Sequence, residues 1–197
     1  MNGRSKELIY FLTPFMEKNF NKSKEILQAE IVRSAPEIWN NLKSALHKVF
    51  ESVDKLQKQN RKGSLQYLLF SFMRCGVCSG MLEINVSAYD DRFYLDEEET
   101  AEAFPLTFLQ EQYEKDIIRL YQKAEEKFVR IQNHERTDIR EWYSEYYDSI
   151  AYAVVESLAE LIMKEIAESN VKITDHFKIL YGGYMDQAAT VYSKEKH

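Results

Sequence analysis

Proline and glycine are scarce, at 3 and 6 of 197 residues. Such a composition excludes collagen-like and linker-rich chains and leaves room for long helices. Cysteine is scarcer still. Cys75 and Cys78, three residues apart, cannot build a disulfide framework, which agrees with a reducing compartment. No apolar run approaches the roughly 20 residues a membrane-spanning helix needs; the longest lies around Tyr67 to Met73. Near the N-terminus the one apolar patch is followed by Glu17 and Lys18 without a small-residue cleavage site, so it does not read as an export signal. The expected location is the cytoplasm.

Catalytic signatures are missing as well. The sequence contains no HExxH, GxGxxG, GxxxxGK[ST] or GxSxG. A di-iron bundle would show Glu-x-x-His on two helices, but Ser44, Ile131 and Ile173 stand three residues before His47, His134 and His176. These absences exclude several common chemistries, although an enzyme assembled from scattered residues would escape them. No cofactor and no metal are expected.

The residues that are present describe an ordinary globular chain, 45% hydrophobic and 29% charged. It reads as a single domain, 1–197, with a sub-boundary near 60–64. Charge divides unevenly there. Residues 1–62 hold 12 Lys/Arg against 7 Asp/Glu, and the remainder 14 against 25, out of 26 and 32 in all. An acidic partner or nucleic acid would explain the basic segment, and so would attraction between the two parts. The basic residues are scattered singly, which argues against nucleic acid.

Periodicity predicts a mainly α protein: a helical bundle with a long antiparallel helical pair and one small β-hairpin, with a third short strand as an option. Short helices are expected over 7–20 and 22–33, interrupted by Pro14 and ended before Pro36, and an amphipathic helix over 36–59 closed by Gly63. The near-continuous apolar run Leu65–Met73 suits a buried helix ending near Gly76 to Gly80. Alternation from Leu82 to Ala88 predicts a strand that turns at Asp90-Asp91 and returns over Arg92 to Leu95, pairing Ala88 with Phe93 and Val86 with Leu95. Thr190 to Tyr192 is the candidate third strand. Apolar residues at spacings of three and four over 106–132 and 137–168 predict the helical pair, joined at Asn133 to Arg136.

Several residue groups invite a functional reading. In Cys75-Gly76-Val77-Cys78 a redox pair would need to follow a strand and open a helix, whereas an apolar helix is expected before it, so the thiols read as small buried groups. Asp90, Asp91, Asp96, Glu97, Glu98, Glu99 and Glu102 lack the glycine of an EF-hand loop and read as solvated charge before a helix. Gly76 to Gly80 superficially suits a helix-turn-helix turn, but a strand pattern follows it. Tyr181-Gly182-Gly183-Tyr184 reads as a helix C-terminal turn.

Thirteen tyrosines are more than one inward stripe uses. Trp142, Tyr143, Tyr147 and Tyr184 are therefore the candidate ligand-binding residues, with Glu141 or Asp186 as an accompanying acid. The expected function is that of a non-enzymatic binding or scaffolding protein that self-associates as a homo-oligomer or holds a protein partner. The rival is a small-molecule sensor or enzyme with an aromatic cleft, and a weaker one a transcription regulator.

Overall fold

The computed structural model describes residues 3–183 and 187–194. The elements are α1 (Gly3–Lys58), β1 (Leu65–Phe72), α2 (Arg74–Cys78), β2 (Glu83–Tyr89), a 3-10 turn (Phe93–Leu95), β3 (Ala101–Pro105), α3 (Thr107–Lys127), α4 (Asn133–Ser157), α5 (Ala159–Glu168), β4 (Ile173–Gly183) and β5 (Ala188–Ser193). The five strands form one mixed sheet in the order β3-β2-β1-β4-β5. The protein is therefore α+β, and the expected all-α bundle with one small hairpin is incorrect.

The chain divides into two compact units. The first takes the residues up to Ala35, Arg74–Leu82 and Leu106–Ile150; the second takes Pro36–Met73, Glu83–Pro105 and the residues from Ala151 on. Charge follows this division. The first unit holds 14 Lys/Arg against 14 Asp/Glu and the second 12 against 18, which together make the chain's 26 and 32. The whole net charge of −6 belongs to the second unit.

The first unit is helical. Its part of α1 buries Leu8, Leu12, Met16 and Leu27, and α3 buries Leu109, Ile117, Leu120 and Ala124, each at helical spacing. Helices α3 and α4 run antiparallel: Tyr113 Oη donates to the Arg140 carbonyl (2.8 Å) and Tyr121 Oη to that of Arg136 (3.1 Å). Arg140 also reaches back to Glu114 through two hydrogen bonds of 2.8 and 2.7 Å. The joint lies over 128–132, earlier than the sequence suggests, because Glu135 caps the next helix. Its carboxylate accepts from Gln132 N (2.8 Å), the acidic half of a capping box, and from Arg4 Nε (2.6 Å).

The second unit is built on the sheet. β1 lies at its centre, antiparallel to β2 and parallel to β4. Alternation puts Leu68, Phe70 and Phe72 on one face beside Ala88, Val86 and Ile84, with Ile179 and Tyr181 on the other side. All eight are buried. α1 adds Leu42, Leu46, Val49, Phe50 and Val53 to this core, and α5 adds Ile162 and Ile166. The opposite face carries Leu69, Tyr89 and Leu180, packed by Tyr67, Phe93 and Tyr94.

Each departure from the sequence reading has a physical reason. Leu65–Phe72 is a strand rather than a helix: a central strand buried on both faces loses its alternation and reads as a continuous apolar run. The expected breaks at Pro14 and Pro36 do not occur, and one 56-residue helix runs through both. Both prolines are exposed, and so are Tyr10 and Val32, whose carbonyls lose an internal donor, so this side of the helix faces solvent. Pro36 nonetheless begins the second unit's share of α1.

Helix α1 ends earlier than Gly63. Arg61 N donates to Leu56 O (3.0 Å) and Asn60 N to Gln57 O (3.1 Å), a Schellman turn in which Asn60, at φ 55°, takes the left-handed position. The expected hairpin partner 92–95 is a 3-10 turn instead, and β2 pairs with β3 as well as β1. Side-chain carboxylates of Asp90 and Asp96 accept from Arg92 N (3.0 Å) and Glu98 N (3.1 Å), drawing the segment out of any ladder. Thr190 to Tyr192 does lie in a strand, but β5 adds to β4 rather than to a hairpin. Gly182 is inside β4: a Cβ there would collide with the Gln187 carbonyl oxygen and stand 2.8 Å from Ala188 Cα.

Candidate functional site: a charged cleft in the second unit

Lys43 and His47 lie one turn apart on α1, and Phe50, Glu51 and Asp54 continue the same face. Glu165 sits on α5, with Glu168, Ser169 and Asn170 following at that helix's end. Between them is a cavity of about 300 Å³ lined by these residues. Lys43 Nζ stands 2.6 Å from Glu165 Oε1 and His47 Nε2 is 2.9 Å from Glu165 Oε2.

The side chain of Glu165 is 10% exposed, whereas those of Lys43 and His47 are 37% and 54% exposed. Burial opposes its charge, but hydrogen bonds from Lys43 and His47 outweigh that and hold its carboxyl below the ordinary value. Glu165 thus anchors both basic groups from behind. Phe50, almost fully buried, supplies an apolar wall.

The remaining acids differ in their engagement. Asp54 is paired with Lys58 at 2.5 Å. Glu51 and Glu168 have no ion-pair partner among the described residues. Four carboxylates line the cavity, and its one lysine is already bound to one of them. Ser169 is not a poised nucleophile, since its hydroxyl donates to the Ile166 carbonyl (2.7 Å) and accepts from Val171 N (3.2 Å). The chemistry that suits this cleft is reception of a cation with an apolar stem.

The residues favoured from the sequence lie elsewhere. Tyr143 and Tyr147 are fully buried in the first unit, where both donate to Asp116 Oδ2, at 2.7 and 2.9 Å. Asp116 is itself fully buried and also accepts from Ser23 Oγ (2.9 Å), Gln112 Nε2 (3.0 Å) and Arg119 Nη1 (3.0 Å). Trp142 is half-buried on α4 and Glu141 exposed. Tyr184 and Asp186 lie outside the described residues. The structure thus joins Tyr143 and Tyr147 around a carboxylate.

The acidic segment 90–102 leads into β3 rather than directly into a helix, and of its acids Asp91, Glu97 and Glu99 are solvated as expected. Asp90 and Asp96 are buried there, with Lys62 and Arg92 as their partners. Sequence reasoning missed the cleft because His47 and Glu165 are 118 positions apart and share no motif. The one usable signal was the i, i+4 spacing of Lys43 and His47 on the polar side of a strongly amphipathic stripe.

A smaller cavity of about 220 Å³ in the first unit is lined by Phe15, Lys18, Asn19, Lys22, Arg119, Leu120 and Lys123, with no carboxylate. Among the described residues no helix is long and apolar enough to cross a membrane, and no group of three or more His, Cys, Asp and Glu is arranged to hold a metal ion. No protein-family model matches the chain, and neither the curated proteins nor the solved structures contain a significant match.

Proposed function

We propose that the protein is a non-enzymatic binding protein whose charged cleft receives a basic segment of a partner protein. The observation that carries this reading is the cleft between α1 and α5, where Glu51 and Glu168 have no ion-pair partner among the described residues and stand beside an apolar wall, while Lys43 and His47 are occupied by Glu165. A lysine or arginine side chain matches that lining: its methylenes lie on Phe50 and its charged head meets the free carboxylates. The unit's excess of acidic charge favours the same partner through long-range steering.

A second copy of the chain is one source of such a segment, since residues 1–62 hold 12 Lys/Arg against 7 Asp/Glu. The expected binding is therefore to basic protein surface, with self-association as one form of it. The buried tyrosines do not enter this reading.

Fluorescence anisotropy with an arginine-rich peptide and an acidic control peptide tests the cleft. The wild type is expected to bind the basic peptide and to release it as salt rises, and Glu51→Lys with Glu168→Lys to weaken it at least tenfold. Equal binding by the charge-reversed variant would overturn the reading. Light scattering separates the two sources: a mass that rises with concentration and falls with salt marks a second copy, and a constant monomer mass marks a different partner.

A further inference from the structure

We propose that Cys75 and Cys78 form a dithiol that undergoes thiol–disulfide exchange with small disulfides, with Glu141 as the proton acceptor for the second cysteine. The objection raised by the sequence was that an apolar helix precedes the pair. The preceding element is instead the strand β1, and both cysteines lie in the single turn α2.

The geometry of that turn suits a disulfide. Two residues three apart on an α-helix have Cα atoms about 5 Å apart, from a 1.5 Å rise and a 2.3 Å radius. Bridged cysteines span roughly 4.4 to 6.8 Å, so the bond needs no long-range movement of backbone. Both thiols are free and exposed, whereas Val77 between them is fully buried and Gly76 is buried too. The turn is thus pinned from below with its sulfurs outward.

Its far end is fixed as well. Met81 N donates to Gly76 O (2.8 Å) and Gly80 N to Val77 O (3.0 Å), closing α2 with a Schellman turn at Gly80, φ +82°. Gln110 holds that turn to α3: its Oε1 accepts from Leu82 N (2.9 Å) and its Nε2 donates to the Gly80 carbonyl.

The two sulfurs are not equivalent. Cys78 Sγ donates to Glu141 Oε1 at 3.4 Å, and burial together with that carboxylate pushes its thiol up from the ordinary value. Among the described residues Cys75 has no hydrogen bond of this kind to an acid. In its thiolate form Cys75 attacks one sulfur of a small disulfide RSSR, forming Cys75–S–S–R and releasing RS⁻. Cys78 then gives its proton to Glu141, its sulfur attacks Cys75 Sγ, and the second RS⁻ leaves. The protein dithiol loses two electrons and two protons, and RSSR becomes two RSH.

Oxidised glutathione is the probe. The reduced full-length chain is incubated with an excess, quenched by alkylation and read by intact mass and peptide mapping. The wild type is expected to lose two hydrogens and carry no adduct, and Cys78→Ser to stop as a single glutathione adduct on Cys75. Glu141→Gln is expected to form the same adduct and to close it at least tenfold more slowly. Two alkylated thiols in the wild type, a stable double adduct or a disulfide between two chains would each overturn the proposal. Closure of Glu141→Gln at the wild-type rate would overturn the role of Glu141. The wild-type measurement stands even where a serine variant melts early.

Discussion

Lys62 and Asp96 form an ion pair in which both side chains are fully withdrawn from solvent. Lys62 Nζ also donates to the Glu98 carbonyl (2.7 Å), and Asp96 accepts from Asp90 N (3.2 Å) and Glu98 N (3.1 Å). The pair clasps the loop that carries the 3-10 turn, and with it Phe93, whose φ of +52° is a strained conformation for that residue. Phe93 holds it because its ring packs on Tyr67, Tyr89 and Tyr94 at 4.7, 5.4 and 4.1 Å.

Removing Lys62 leaves the buried Asp96 with only the half-exposed Arg92, 3.3 Å away, as a cationic partner. Lys62→Met is therefore expected to destabilise the protein by about 3 to 5 kcal/mol, and Lys62→Met with Asp96→Leu by much less. Urea denaturation of the two variants checks this. A double variant as unstable as the single one would show that the hydrogen bonds to the loop backbone, rather than the unpaired charge, dominate.

The Asp116 network makes an alkaline prediction. Burial, reinforced for Tyr143 and Tyr147 by Asp116, pushes the phenols of Tyr113, Tyr143 and Tyr147 far above their ordinary 10.0. Raised values favour the protonated form in the fold. Their contribution to stability is complete below pH 10 and declines as pH rises above it, where the unfolded chain alone ionises. Phenolate absorbance of these three should appear only with unfolding, which a pH titration followed by absorbance and circular dichroism checks. Ionisation of all thirteen tyrosines in the folded state would refute it.

An acid prediction has the opposite sign. Glu135 is held below its ordinary 4.5, first by the hydrogen bond from Arg4 and then by that from Gln132 N, against the cost of burial. A lowered carboxyl contributes stability above the unfolded value and loses it as pH falls through the folded one. Below pH 4.5 the wild type should thus lose stability faster than Arg4→Met, whose Glu135 titrates nearer its ordinary value. Melting temperatures of both proteins between pH 6 and 3 measure the difference, and parallel curves would remove Arg4 as the cause.

Helical stretches with a clear solvent face were legible in the sequence: Leu42, Leu46, Val49 and Val53 are buried at the spacing that identified them. Two strands were legible too, β2 by its alternation and β5 at Thr190 to Tyr192, but the sheet that joins them was not, because its central strand β1 is apolar on both faces and parallel β4 lies more than 100 positions away. The tyrosine excess pointed correctly to something unusual, but rings that satisfy a buried carboxylate and rings that line a cleft have the same composition. Only Asp116, placed opposite them by the antiparallel pairing of α3 and α4, distinguishes the two. The thiol pair was legible as a motif, but its thiols are exposed rather than buried, and a strand rather than a helix precedes them.

Pro36 offers a test of how a 56-residue helix tolerates an internal proline. Proline in a helix interior costs about 3 kcal/mol relative to alanine, through its missing N–H and the clash of its ring with the preceding turn. Here the ring is exposed, and the carbonyl it leaves without a donor belongs to Val32, a residue 77% exposed. Water supplies part of what the helix lacks, and the rigid ring also restricts the unfolded chain by roughly 0.4 to 1 kcal/mol. Pro36→Ala should therefore stabilise the protein by about 1 to 2 kcal/mol and move the urea midpoint upward with an unchanged slope. A lower midpoint would mean that the proline is itself required at this point of α1.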